Sequence, residues 1–234
     1  MTRRRGFGRA LALAAGLCAL AVIVLHVYFA AMIAWWSTHP PRETAFMAER
    51  LQELRRTNPR AQLRYRFVPY ERIATPLKRA MIAAEDAKFV EHEGFDWNGI
   101  ELAIAKNEKR GRIVAGGSTI TQQLAKNLFL SGSRSWLRKG EEAVITLMLE
   151  AMLDKRRIFE LYLNVIELGN GVFGAEAAAE RYFGVPAARL DAAEAARLAA
   201  MAPNPRFYER NQGAPGLNRK IRIILARMPA ADLP

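Results

Sequence analysis

The chain has 234 residues, room for one ordinary domain with an appendage and too few for two large ones. With 51% hydrophobic and 25% charged residues it has globular composition, which excludes a largely disordered chain. A single cysteine (Cys18) excludes a disulfide framework, three scattered histidines (His26, His39, His92) argue against a histidine metal cluster, and a net charge of +12 implies an anionic partner.

Residues 1–9 form a basic tail with Arg3, Arg4, Arg5 and Arg9, and residues 10–36 contain no Lys, Arg, Asp or Glu. As a helix this apolar run is about 40 Å long, enough to cross a hydrocarbon core of about 30 Å. Trp35 and Trp36 mark its far end, and the basic flank predicts a cytoplasmic N-terminus with residues 37–234 on the other side. A cleaved signal peptide is the alternative, offered by the small residues Ala30, Ala31 and Ala34; the run is longer than a usual signal. Cys18 and His26 inside it are an apolar filler and a neutral passenger. Without the four arginines, 31 basic residues still face 23 acidic ones, leaving +8. A basic domain held outside the cytoplasm weighs against nucleic acid as partner and favours acidic lipid headgroups or a phosphorylated ligand.

Residues 37–64 are predicted as a stiff connector (Thr38-His39-Pro40-Pro41) and a helix over 42–57, ended by Thr57-Asn58-Pro59. Leu63 to Val68 alternates weakly, as a short strand would. Thr75-Pro76 predicts a helix start with Thr75 as the cap, followed by Leu77, Met81, Ala84 and Lys88 at steps of three and four. Further helices are predicted near 97–109, 119–129, 137–153, 155–168, 174–182 and 191–201, then a C-terminal helix and tail over 211–234. Gly111 to Gly117 reads as a flexible joint, with poor order expected over 107–117 when no ligand is bound. Gly169-Asn170-Gly171-Val172-Phe173-Gly174 fits a dinucleotide-binding glycine pattern, but a predicted helix precedes it, so these glycines are expected to end one helix and admit the next. One mostly α domain is the expected fold.

Four stretches carry polar groups in patterns that composition does not explain. In the first, residues 85–96, Glu85 borders the apolar stripe of its helix, where lost hydration would raise its proton affinity and suit it to general acid or base work. Five acids in twelve residues are also what a solvated helix end looks like, and His92 suits a hydrogen-bonding strut. In the second, residues 116–127, two glycines precede a capped helix on which Thr119, Gln122 or Gln123, and Lys126 share a stripe. Donors and an ammonium beside a positive helix end suit phosphate, although polar residues can simply face water. In the third, Arg138 and Glu142 are spaced for one helix face, in the less stabilising order for a surface pair. In the fourth, residues 155–164, Ile158, Leu161, Tyr162 and Val165 make a buried stripe with Glu160 and Asn164 on the other edge, and the helix reads as scaffold.

Together the patterns E-D-x-x-F-x-x-H-x-G-x-D, G-G-S-T-I-T-Q-Q-x-x-K-N, R-K-x-x-E and K-x-x-I-x-E-x-Y-L-N at 85–96, 116–127, 138–142 and 155–164 resemble the monofunctional biosynthetic peptidoglycan glycosyltransferases of glycosyltransferase family 51. The resemblance covers residues 65–210, the expected glycosyltransferase domain, and the single anchor. It implies a lysozyme-like helical head with a small jaw lobe, and polymerisation of lipid II into glycan strands at the outer face of the cytoplasmic (inner) membrane. In that likeness Glu85 is the general base on the acceptor 4-hydroxyl, Asp86 a neighbouring acid, and Glu142 a second carboxylate whose role Glu141 blurs. Lys126 and Arg138 face the departing undecaprenyl diphosphate, while Phe89, His92, Ser118, Thr119, Gln123, Asn127 and Lys139 shape or line the groove or bind substrate. No tightly bound cofactor is implied; Asp86 is the one candidate ligand for a divalent cation such as Mg or Mn. The implied partners are lipid II, the lipid-linked strand, membrane lipids and other cell-wall synthesis or division proteins. Leu128, Phe129, Leu130 and Trp136 are candidates for dipping into lipid or for ordinary core. No Ser-x-x-Lys or Lys-Thr-Gly occurs, so a transpeptidase module is not expected.

Two other functions are compatible with parts of the pattern. A lysozyme-like hydrolase would use Glu85 as general acid with a partner carboxylate across the bond, and has no need of Lys126 and Arg138. A non-catalytic anchored domain that binds acidic polymer would need those cations and no base.

Overall fold

The computed structural model describes residues 2–112, 116–130, 132 and 135–234, with side chains from residue 12 onward. It divides into two units, residues 1–39 and 40–234. The first is built on one helix, α1 (Thr2–Trp36), whose Ala12–Trp36 stretch of 25 residues is long and apolar enough to cross a membrane. The helix runs back to Thr2, so the basic tail is part of it rather than a separate segment. His26 is satisfied locally, with Nδ1 2.8 Å from the Val22 carbonyl one turn back.

The second unit is mostly helical: α2 (Ala45–Thr57), α3 (Thr75–Glu85), α4 (Trp97–Arg110), α5 (Ile120–Phe129), α6 (Trp136–Met152), α7 (Lys155–Val165), α8 (Gly174–Phe183), α9 (Ala192–Met201), α10 (Pro205–Arg210) and α11 (Pro215–Arg227). Strands β1 (Arg64–Tyr65), β2 (Glu167–Gly169) and β3 (Val172–Phe173) form a small sheet in the order β1-β3-β2. α9 packs on α3 and α11, and its buried Ala195, Ala196, Ala199 and Ala200 permit close approach of those helices. α5 packs on α6 and α7 through Ile120, Leu124, Ile145, Leu149, Ile158 and Phe159, all fully buried, and α2 covers α5.

The structure revises several expected boundaries. Thr75 is not the cap of α3. Ala74 holds that position without a side-chain bond and is fixed instead by its N–H, which donates to the Ala187 carbonyl at 3.0 Å. α3 stops at Glu85, because Asp86 takes an extended conformation with φ −162° and its carboxylate is engaged elsewhere; Lys88 lies past the helix and is exposed. α7 ends at Val165 rather than near 168. Asn164, fully buried, accepts from the Val68 N–H at 2.9 Å and donates to the Val68 carbonyl at 3.0 Å, and the chain then pairs as β2. A strand therefore does precede the glycine pattern, but β2 and β3 are antiparallel neighbours in a hairpin, not a βαβ unit. Gly171 (φ 71°) makes its turn, and Gly174 (φ 81°) opens α8 where a Cβ would collide with the Asn164 carbonyl. α10 was not anticipated.

Of the joint expected to be poorly ordered over 107–117, residues 107–110 complete α4, and Gly111 (φ 61°) ends it with its N–H on the Asn107 and Glu108 carbonyls. Residues 113–115 lie outside the described residues. The four apolar candidates for lipid contact divide: Leu128 and Leu130 are buried, Phe129 is half-buried, and Trp136 is 92% exposed.

Candidate active site

Glu85 is the last residue of α3, half-buried at the end of its apolar face. The next residue fixes the neighbouring helix. Asp86 is buried, its Oδ2 accepts the Ile120 N–H at 3.0 Å, and His92 Nε2 lies 3.0 and 3.1 Å from its two oxygens. An anion thus sits at the positive end of α5, but it belongs to the protein. The expectation that this helix end is open for phosphate is corrected accordingly. Thr119 completes the joint: its hydroxyl accepts the Gln122 N–H at 3.2 Å and donates to the Gly94 carbonyl at 2.7 Å, while the Gln122 Oε1 accepts the Thr119 N–H at 2.9 Å. This reciprocal capping explains why Ser-Thr-Ile-Thr-Gln-Gln starts a helix there.

With α5 held in that way, Gln123 and Lys126 share a face directed at Glu85. Gln123 Nε2 donates to Glu85 Oε2 at 2.8 Å, and both residues line one recess with Lys126. α6 supplies the remaining charge. Ser135 caps it by accepting the Arg138 N–H at 3.2 Å, and buried Glu142 pairs with Arg138 Nη1 at 3.0 Å and with the Lys139 ammonium. Of the two acids of the third motif Glu142 is the buried, doubly paired one, while the half-buried Glu141 has no ion pair among the described residues. Arg138 Nε is buried and finds no hydrogen-bond partner among the described residues.

The recess holds about 310 Å³ and is lined by Glu85, Ser118, Gln122, Gln123, Lys126, Arg138, Lys139, Glu142 and Pro203. A larger one of about 520 Å³ shares Gln123, Lys126, Arg138 and Pro203, adds Asn127, and extends over Phe46, Glu49 and Arg50 of α2 and Asn204 to Arg206. Together they form a groove with a carboxylate at one end and cations along its middle. Phe89 and His92 do not line either recess. Phe89 is fully buried against Phe159, with ring centroids 5.5 Å apart, and His92 is the strut behind Asp86.

Burial raises the proton affinity of Glu85, and the adjacent Asp86 pushes the same way; the Gln123 hydrogen bond, Lys220 and Lys126 oppose it. Burial lowers the affinity of the Lys126 amine for its proton. Glu142 acts against that shift, Arg138 and Lys139 reinforce it, and Glu85 opposes it. Lys220 was missed by sequence reasoning. It projects from α11 into a recess of about 160 Å³ shared with Glu85, Ile223 and Arg227. None of the four motifs reaches the run Arg219, Lys220, Arg222, and only the packing of α11 on α3 and α9 brings Lys220 to the carboxylate.

Asp86, the candidate ligand for a divalent cation, is already engaged within the protein. Among the described residues no three His, Cys, Asp or Glu side chains gather, and both Asp86 oxygens already accept hydrogen bonds.

Residues 50–229 match the family model described as Transglycosylase. The chain is 63% identical over 212 residues to the biosynthetic peptidoglycan transglycosylase of Dechloromonas aromatica (strain RCB), covering 91% of this chain and 92% of the relative. It is 58% identical over 231 residues to the protein of the same name from Azoarcus sp. (strain BH72), covering 98% and 97%. A third relative of that name, from Janthinobacterium sp. (strain Marseille), is 58% identical over 215 residues, covering 92% and 93%.

Proposed function

The chain belongs to the transglycosylase family, and on that premise we propose that it polymerises lipid II into peptidoglycan strands with Glu85 as the general base. Glu85 takes the proton of the acceptor sugar's 4-hydroxyl. The freed oxygen attacks the anomeric carbon at the lipid-linked end of the growing strand, with inversion. The bond from that carbon to the diphosphate oxygen breaks, and undecaprenyl diphosphate leaves with the bonding electrons. Each cycle forms one glycosidic bond and releases one lipid diphosphate.

Charge on the departing diphosphate develops where Lys126, Arg138 and Lys139 converge, the arrangement electrostatic stabilisation of a leaving group requires. Glu142 contributes by holding two of those cations in place. Asp86, His92 and Thr119 hold the start of α5, and through it Gln123 and Lys126, against Glu85. Ser118 lines the recess beside the base, and Asn127 lines the larger one, where the strand's sugars would extend.

The observation that carries this assignment is one recess holding a half-buried carboxylate of raised proton affinity and three cations, one with a buried N–H unpaired among the described residues. A hydrolase would need a second free carboxylate across the bond. Glu142 is tied to two cations and Asp86 is bonded behind the groove. α1 serves as a single-pass anchor with its basic end in the cytoplasm, keeping the enzyme in the plane of its lipid substrate. The +8 of the remaining chain suits anionic headgroups and diphosphates.

The test is incubation of the purified full-length protein with lipid II in detergent. Glycan polymer and one lipid diphosphate per disaccharide added are expected. No polymer, or soluble muropeptides released from purified sacculi, would overturn the assignment.

A further inference from the structure

Tyr162 belongs to the buried stripe of the fourth motif and makes no contribution to the steps above. It is fully buried on α7, with its ring stacked on Phe159 at a centroid distance of 6.3 Å. Its hydroxyl donates to Gln123 Oε1 at 3.2 Å, and the other end of the same amide donates to Glu85 Oε2 at 2.8 Å. Three side chains from α7, α5 and α3 therefore stand in single file, ending at the base.

The two ends of an amide have nearly the same shape and opposite hydrogen-bonding character. Turned one way, Gln123 offers Glu85 an N–H, which favours the ionised carboxylate. Turned the other way, it offers an oxygen, which repels the carboxylate. Gln123 does not set this choice by itself. Burial, and the negative charges of Glu85 and Asp86, hold the proton on the Tyr162 oxygen well beyond its ordinary range, so the phenol is a permanent donor. Among the described residues its hydroxyl has no other hydrogen-bond partner than Gln123. A flipped amide would leave that buried O–H without an acceptor, which is costly.

We propose that Tyr162 is a positioning residue for polymerisation: its hydroxyl fixes the Gln123 amide so that an N–H always faces Glu85. The fixed donor holds one carboxylate oxygen and leaves the other to receive the acceptor's proton. This rests on Glu85 being the base.

The test compares native enzyme and Tyr162→Phe, full length in detergent with lipid II, across pH. The acid limb of kcat/KM is expected to move up by about one pH unit, because the carboxylate loses a reliable donor and protonates more readily. The rate then falls about tenfold on the acid side of the limb and converges with native above it. Gln123→Met should move the limb in the same direction, and adding Tyr162→Phe to it should move it no further. A uniform loss at every pH with the limb in place, or a further shift in the double variant, would overturn the proposal. Should the phenylalanine variant not fold, the native protein carries the test through NMR of the Tyr162 hydroxyl proton. That proton is expected to be protected from exchange and to shift as Glu85 titrates; free exchange with water would overturn the proposal. Native enzyme without polymer defeats the functional assignment itself, whereas active enzyme with an unmoved limb in Tyr162→Phe defeats only the positioning role.

Discussion

Glu85→Gln is expected to lower kcat for lipid II polymerisation by about a thousandfold or more while leaving thermal unfolding near native. The substitution keeps size and shape, and an amide oxygen at this position still accepts the Gln123 N–H that now reaches Glu85 at 2.8 Å. Glu85 lies at the edge of a recess rather than deep in the core, so the fold has little reason to respond. What the variant loses is the ability to accept a proton. General base catalysis contributes about a hundredfold to ten-thousandfold, and an unactivated sugar hydroxyl is a poor nucleophile, so the loss should fall at the upper part of that range. Polymer formed from lipid II, with melting followed in parallel, measures both quantities. An active variant would remove Glu85 from the role of base.

Lys126→Met is expected to reduce kcat by about a hundredfold to a thousandfold, the size of effect seen when one donor is removed from a preorganised charge-stabilising site. Lys126 is half-buried between Glu85 and the Arg138, Lys139 and Glu142 group, where its charge is only partly screened. Methionine preserves the length and apolar stem of the side chain, so packing over Phe46, whose ring centre is 5.8 Å from the ammonium, is retained. Because charge grows on the diphosphate as its bond breaks, kcat should suffer more than KM. An equal rise in KM with kcat intact would instead mean that Lys126 binds substrate and transition state alike. Lys126→Arg should recover part of the loss by restoring charge.

The parts of the site readable in the sequence were those that helix geometry alone determines. Arg138 and Glu142 stand four residues apart on one helix and do pair, at 3.0 Å. Glu85 was placed beside an apolar stripe, and half-burial with raised proton affinity followed. Gln123 and Lys126 face the same recess because they are three residues apart on α5. What the sequence concealed depends on distant partners. The N-terminus of α5 looked available to phosphate, yet Asp86, 34 residues before Ile120, already occupies it. Lys220 reaches the base only because α11 packs on α3 and α9. β2 and β3, with three and two residues, are too short for alternation to show, and the end of α7 is set by a bond from Asn164 to Val68, 96 residues away.

The pH dependence of kcat/KM for lipid II polymerisation by the native enzyme tests the central assignment most directly. Glu85 must be ionised to accept a proton, and burial raises its affinity, so the rate should climb with pH through a midpoint above the ordinary carboxylate value of 4.5. Lys126 must stay charged, and burial lowers its affinity, so the rate should fall again through a midpoint below 10.5. A bell with those two limbs is the expected result; full activity persisting below pH 4.5 would contradict a buried carboxylate base at Glu85.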